Sequence, residues 1–223
     1  MSTGFRVLPS PAAPPPDLLA ALAEHASSNL SDCMGRAYTA ESMLRPRHRG
    51  GRLCGPALTV RTVRGDNLMV HKAIDLARPG QVIVVDAGGF LEAAIIGDIM
   101  TTLAAKRGVA GFVIDGAVRD SEDLAARDLP VYARGITSRG PAREGPGEIN
   151  VPVSIAGMTV SPGDIIVGDA DGVVAVPLAD SVAVLERVRA LREREQDLLR
   201  RIADGSIDRS WVDATLKAKG CKL

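Results

Sequence analysis

Aromatic side chains are scarce in this sequence, with one Trp, two Tyr and three Phe among 223 residues. That leaves little to stack on unpaired bases. Charge of one sign is also missing, because 27 Lys and Arg balance 27 Asp and Glu. No overall field therefore draws the chain to nucleic acid or to an anionic membrane. Cysteine is sparse: Cys33, Cys54 and Cys221 lie far apart, with no CxxC and no His at zinc spacing. They read as buried or surface thiols in a reducing compartment. No apolar run approaches the roughly 20 residues that span a bilayer. The first residues carry a proline-rich stretch, PSPAAPPPD, where a secretory signal would need an apolar segment. A cytoplasmic location is the expectation. The three histidines, His25, His48 and His71, are scattered and none has the neighbourhood of a Ser/His/Asp triad. Only His71, on an expected helix beside an Asp-Asn loop, is of interest.

Glycine (23) and proline (14) are plentiful, which suits many short strands and turns better than a helical bundle. The length fits one sizeable domain with extensions. Residues 1–17 read as a flexible proline-rich arm, residues 18–177 as a single catalytic domain, and residues 178–223 as a C-terminal helical extension that contacts a neighbouring subunit.

Periodicity gives the order of elements. Helical spacing marks 18–27 and a second helix start at 31–36. An alternating β-rich run covers 55–63, and a helix 67–76 follows. QVIVVD at 81–86 is a continuous apolar strand that must be covered on both faces. Gly88-Gly89 is expected to break it. A helix over 97–107, a buried strand over 109–115, a helix over 121–127 and a strand over 130–134 complete a β-α-β-α-β rhythm. From Pro152 on, four short strands are joined by glycine-rich turns, and a long charged amphipathic helix spans 178–203. RPRHRGGR at 45–52 reads as a solvated basic loop. VVDAGG at 84–89 lacks the spaced glycines of a dinucleotide fingerprint, so a plain strand-end turn is the expectation there.

The informative stretch is GDIMTTLAAKRGVAGFVIDGAVRDSED, residues 97–123. Gly97-Asp98-Ile99-Met100 opens a helix, where free amides and the helix dipole favour an anion. A substrate carboxylate could sit on the Ile99 and Met100 N–H groups; Asp98 could equally be a helix cap. Arg119-Asp120 follows the carboxyl end of a buried strand, where α/β proteins bind ligands. Asp supplies oxygen to a hard cation and Arg holds carbonyl or carboxylate oxygens. A capping-box-like start from Asp120 to Asp123 is the competing account. One helix and one strand separate the two features, so both can emerge at one edge of the layer.

Asp98, twenty intervening residues, Arg119-Asp120, two more and Asp123 together resemble the signature of the class II 4-hydroxy-4-methyl-2-oxoglutarate / 4-carboxy-4-hydroxy-2-oxoadipate aldolases. These share a fold with the regulators of ribonuclease activity A. The likeness extends through Ser31-Asp32, Gly55–Val60, Gly65-Asp66-Asn67, Arg78-Pro79-Gly80, Asp115-Gly116, Pro162-Gly163-Asp164 and Asp171–Pro177. The resemblance implies an α/β/β sandwich, assembled as a homotrimer or homohexamer with the site at a subunit interface. It implies that Asp120 binds Mg²⁺ or Mn²⁺, with Asp98 organising the metal's waters. By the same resemblance Arg119 holds the C2 oxygen of pyruvate, while Gly97, Ile99 and Met100 bind its carboxylate. A glutamate from the adjacent subunit completes the family's site; Glu195 is the best match, with Glu193 close by.

The implied reaction is metal-dependent cleavage of a 4-hydroxy-2-oxo acid through a pyruvate enolate, a Lewis-acid route without a Schiff-base lysine. Oxaloacetate decarboxylation passes through the same enolate and is expected alongside it. A non-catalytic binding protein, in the manner of the ribonuclease regulators, is the alternative.

Overall fold

The computed structural model describes residues 3–223. Its centre is a mostly parallel sheet with two edges closed by antiparallel strands. β1 (Phe5–Val7), β2 (Arg45–Pro46), β3 (Leu53–Thr62), β4 (Val82–Ala94), β5 (Gly111–Val118), β6 (Val131–Ile136) and β7 (Gly147–Ile149) run in the order β1-β7-β3-β4-β5-β6-β2. β3 to β6 are parallel neighbours. Their crossovers carry α3 (Leu68–Leu76), α4 (Asp98–Lys106) and α5 (Ser121–Ala126).

The period of two in these strands builds two cores. Leu58, Val60, Ile83, Val85, Phe112 and Ile114 face the side that carries Val70, Ile74, Met100, Ala104 and Leu124. Ala57, Val82, Val84, Val113 and Tyr132 face the opposite side, against a second β layer. That layer comprises β8 (Val153–Ile155), β9 (Met158–Val160), β10 (Ile165–Gly168) and β11 (Val173–Val176). β3 joins the layers: its Leu53–Pro56 segment pairs antiparallel with β10, while Ala57–Arg61 pairs with β4. The α/β/β sandwich is thus present. α1 (Pro16–Ala23), α2 (Ser27–Cys33) and the first half of α6 (Ser181–Ala203) add a further layer outside β10 and β11, around Leu22, Leu30, Ile165, Val167, Val174 and Val188.

Four local expectations change. Phe5–Val7, inside the expected flexible arm, pairs parallel with β7, and Asn150 Nδ2 donates to the Leu8 carbonyl at 2.8 Å. Gly88 and Gly89 do not end β4. Both take φ of 65° and absorb a bulge, after which pairing with β5 resumes at Phe90 and Ala94. The basic 45–52 segment is not simply solvated: Arg47 Nη2 donates to the Ala133 and Arg134 carbonyls, and the His48 ring sits edge-on to Tyr132 at 5.1 Å. A last helix, α7 (Ser210–Ala218), lies beyond the expected ones. Of the C-terminal extension, Val184, Leu185 and Val188 are buried in the chain's own body, whereas Leu198, Leu199 and Ile202 are exposed. Among the described residues no helix is long and apolar enough to cross a membrane.

Candidate active site

Two neighbouring parallel strands end side by side, and their carboxyl ends define the site. Ala94 of β4 pairs with Ala117 of β5. Beyond that register the chains stay laced together: Ile95 N donates to Ala117 O at 2.8 Å and Arg119 N to Ile96 O at 3.1 Å. The start of α4 and the Arg119-Asp120 pair are thereby held against each other.

Asp120 sits at the N-cap of α5 with φ 57° and ψ 46°, a left-handed conformation that Asp and Asn tolerate better than most residues. This backbone turn aims its carboxylate back at α4, where Oδ2 accepts the Asp98 N–H at 2.9 Å. The Arg119 Nε lies 3.7 Å from the same oxygen. Gly97 makes the approach achievable. A Cβ there would stand 2.3 Å from Asp120 Oδ2 and 2.9 Å from Arg119 Cγ. Its φ of −151° suits any residue, so the requirement for glycine is purely one of space.

Two adjoining depressions share Arg119 and Asp120. One is an open cleft bounded by Ser121, Glu122, Asp123, Ile136, Thr137 and Ser138. The other is narrower and more enclosed, lined by Asn67, His71, Gly97, Ile99, Met100, Pro141 and Arg143, with Ala94, Ile95 and Ile96 at its back. Gly97, Ile99, Met100, Arg119 and Asp120, all expected at the site, therefore meet in one place. Asp98 opens the same helix but sends its carboxylate elsewhere: Arg127 Nε donates to Oδ1 at 2.8 Å and Nη2 to the same oxygen. Glu195 lies on α6, away from both depressions, where its Oε1 accepts from Asn29 Nδ2 at 2.8 Å. Glu193 borders an exposed patch with Arg194, Asp197 and Leu198.

Sequence reasoning did not place Asn67, Arg127 or Arg143. The Gly65-Asp66-Asn67 block carried a signal for two of them. Buried Asp66 accepts the Leu68 N–H through Oδ1, at 2.9 Å, which starts α3. Its Oδ2 accepts the Glu144 and Gly145 amides at 2.6 and 3.0 Å, which fixes the loop that carries Arg143. Asn67 Nδ2 donates to the Ile95 carbonyl at 2.9 Å, so α3 also supports the end of β4. Asn67 Oδ1 and His71 Nε2 are buried without a partner among the described residues. Burial, and secondarily the Arg143 guanidinium, holds the His71 imidazolium below its ordinary range. At neutral pH it is the uncharged ring that borders the pocket.

A mostly parallel sheet backed by a second β layer, with a pocket at the carboxyl ends of its central strands, defines the class of fold. Residues 27–175 match the model of the RraA-like family, described as Aldolase/RraA, and the chain belongs to that family. A protein of Halalkalibacterium halodurans named "Putative 4-hydroxy-4-methyl-2-oxoglutarate aldolase" is 40% identical over 175 residues, covering 78% of this chain and 83% of the relative. Among solved structures, an uncharacterized protein from Pseudomonas syringae pv. tomato superposes with a TM-score of 0.80 at 29% identity, covering 88% of this chain and 92% of that one. The RNA-processing inhibitor RraA from Thermus thermophilis superposes with a TM-score of 0.64 at 33% identity, covering 69% and 93%.

Proposed function

We propose that the chain is a divalent-metal-dependent pyruvate aldolase, which cleaves a 4-hydroxy-2-oxo acid such as 4-hydroxy-4-methyl-2-oxoglutarate, and that it also decarboxylates oxaloacetate. The observation that carries this reading is the convergence of Arg119, Asp120 and the first turn of α4 on one pocket, locked by the space at Gly97. The aldolase name of the Halalkalibacterium halodurans relative points the same way.

The donor chemistry fits Mg²⁺ or Mn²⁺. Both neighbours of the Asp120 carboxylate address Oδ2, which leaves Oδ1 for a cation. Among the described residues no group of three or more His, Cys, Asp or Glu is gathered in ligand geometry. A hard cation resting on one carboxylate and several waters is the habit of Mg²⁺. When bound, it supplies Lewis-acid polarisation of the 2-oxo oxygen.

The protein's own groups do the rest. The Ile99 and Met100 amides open α4, where no earlier helical carbonyl claims them, and they take the C1 carboxylate. Arg119 donates to the C2 oxygen and stabilises the charge that develops there as the C3–C4 bond breaks. The C4 hydroxyl gives up its proton as that bond breaks, and C3 of the enolate later regains one. Glu195 from a neighbouring subunit is the carboxylate we assign to this traffic, in a homotrimer or homohexamer, while Asp98 would orient water on the cation. Loss of CO₂ from oxaloacetate leaves the same enolate and needs the same stabilisation.

Pyruvate release from 4-hydroxy-4-methyl-2-oxoglutarate and from oxaloacetate, with and without EDTA, tests this for wild type and Asp120→Ala. Metal-independent turnover would refute the mechanism. Silence with both acids would favour the second reading, a binding protein like the RNA-processing inhibitor whose fold this chain shares.

A further inference from the structure

We infer that Arg127 is a positioning residue that keeps the Asp98 carboxylate off the anion-binding turn of α4. This rests on the function proposed above and concerns how the turn stays available to substrate. Asp98 is the first residue of α4, and the cap before it is Gly97, which has no side chain to offer the first-turn amides. A carboxylate in that place has an intrinsic partner: it can fold back onto the free amides of its own first turn, which the helix dipole also favours. Those are the amides of Ile99 and Met100 that a substrate carboxylate needs. An unrestrained Asp98 would compete for them and would repel an incoming anion.

The structure diverts it. Arg127 directs both Nε and Nη2 to Asp98 Oδ1. Arg127 closes the C-terminus of α5, while Asp120 caps the N-terminus of the same helix and accepts the Asp98 N–H. One short helix, pinned by buried Leu124, thus holds residue 98 at both its backbone and its carboxylate. The paired side chains are each one-third exposed, so the contact contributes little to folding. Its consequence is orientation, and neutralisation of a negative charge beside the pocket.

The test measures pyruvate binding by calorimetry in the presence of Mn²⁺, alongside kcat and KM for pyruvate release. Arg127→Ala is expected to weaken pyruvate binding and raise KM by about tenfold, with a smaller effect on kcat. Adding Arg127→Ala to an Asp98→Asn background is expected to change the pyruvate Kd by less than about twofold, because the competing charge is gone. Arg127→Gln serves if the alanine variant melts early. An unchanged Kd in Arg127→Ala, or an equal loss with and without the Asp98 carboxylate, overturns the inference. A wild type that binds pyruvate yet cleaves neither acid refutes the lyase reading, while the Kd series still judges Arg127. A wild type that does not bind pyruvate at millimolar concentration overturns both.

Discussion

The backbone N–H of Asp98 donates to Oδ2 of Asp120 across 2.9 Å, and this contact ties together two residues that lie on successive helix starts. The amide belongs to a helix start, the acceptor to the cap of the next helix. Each would be an ordinary capping group alone. Together they place a helix N-terminus, a guanidinium and a carboxylate around one pocket.

Gly97→Ala is expected to separate activity from folding. The added methyl would stand 2.3 Å from Asp120 Oδ2, and the flexible carboxylate can yield by rotating out of place. Misplacement on the scale of an ångström at a reacting centre costs about 100-fold in rate. Thermal melting of the variant should stay within a few degrees of wild type while pyruvate release falls by about that factor. An active Gly97→Ala would show that the Asp98–Asp120 contact is not required.

Asp120 can be probed without disturbing its backbone. At φ 57° asparagine is tolerated, whereas alanine adds about 1 kcal/mol of left-handed strain. Asp120→Asn should therefore fold like wild type, lose pyruvate release by more than about 100-fold and cease to respond to added Mg²⁺ or Mn²⁺. Asp120→Ala should show the same loss and a lower melting temperature. A metal-responsive Asp120→Asn enzyme would move the cation elsewhere.

Much of this architecture is legible in the sequence. The runs 81–86 and 109–115 read as buried strands of an α/β layer, and the spacing within 97–123 lets the Asp98 and Arg119 features emerge at one edge. What periodicity could not give is geometry set by single contacts. Nothing in the sequence says that Arg127 reaches Asp98, because their link depends on where α5 ends relative to α4. The bulge at Gly88-Gly89 is indistinguishable from a strand end in sequence, because two glycines at positive φ and a strand terminus look alike in one dimension. The strand at Phe5–Val7 was hidden for a different reason: it is short and its pairing partner, β7, lies more than 140 residues away.

Acid should destabilise the fold through His25. This ring is buried, its Nδ1 has no partner among the described residues, and its pKa lies below 6.5. Burial is the main cause; Arg192, Arg189 and Arg52 act in the same direction and Glu24 against it. A lowered folded-state pKa means that below about pH 6.5 the unfolded chain binds a proton the native state refuses, so stability falls as pH falls. His71 has the same sign. Urea unfolding at pH 7.5 and 5.5 should show lower stability at the acidic value, with each histidine contributing at most about 1.4 kcal/mol per pH unit. His25→Gln should flatten the dependence; an unaltered slope would remove His25 as a cause.

Thiol chemistry should be confined to the C-terminus. Burial pushes the Cys54 thiol up to about 11 and also raises Cys33, whereas Cys221 is exposed. Only the thiolate reacts, so iodoacetamide at pH 8 should label Cys221 quickly and Cys54 only after unfolding. Peptide mass mapping over time reads this directly. Rapid native labelling of Cys54 would contradict its burial under α1.

Glu195 presents the sharpest test of assembly. Within one chain it bonds Asn29 on α2 and lines neither depression, while Leu198, Leu199 and Ile202 on the same helix remain exposed. A second subunit that covers this apolar stripe could receive Glu195 at its Arg119 pocket. Arg119→Ala and Glu195→Gln should then each be nearly inactive, and should complement when the two chains are unfolded together and reassembled. In a closed ring that draws each site from two neighbours, random mixing at equal amounts makes about one quarter of the sites intact. Recovery near that fraction of wild-type pyruvate release would establish a shared site. A mixture as inactive as its parents would mean that the two residues serve the same chain, and recovery with Glu193→Gln in place of Glu195→Gln, if that variant alone is inactive, would shift the assignment to Glu193.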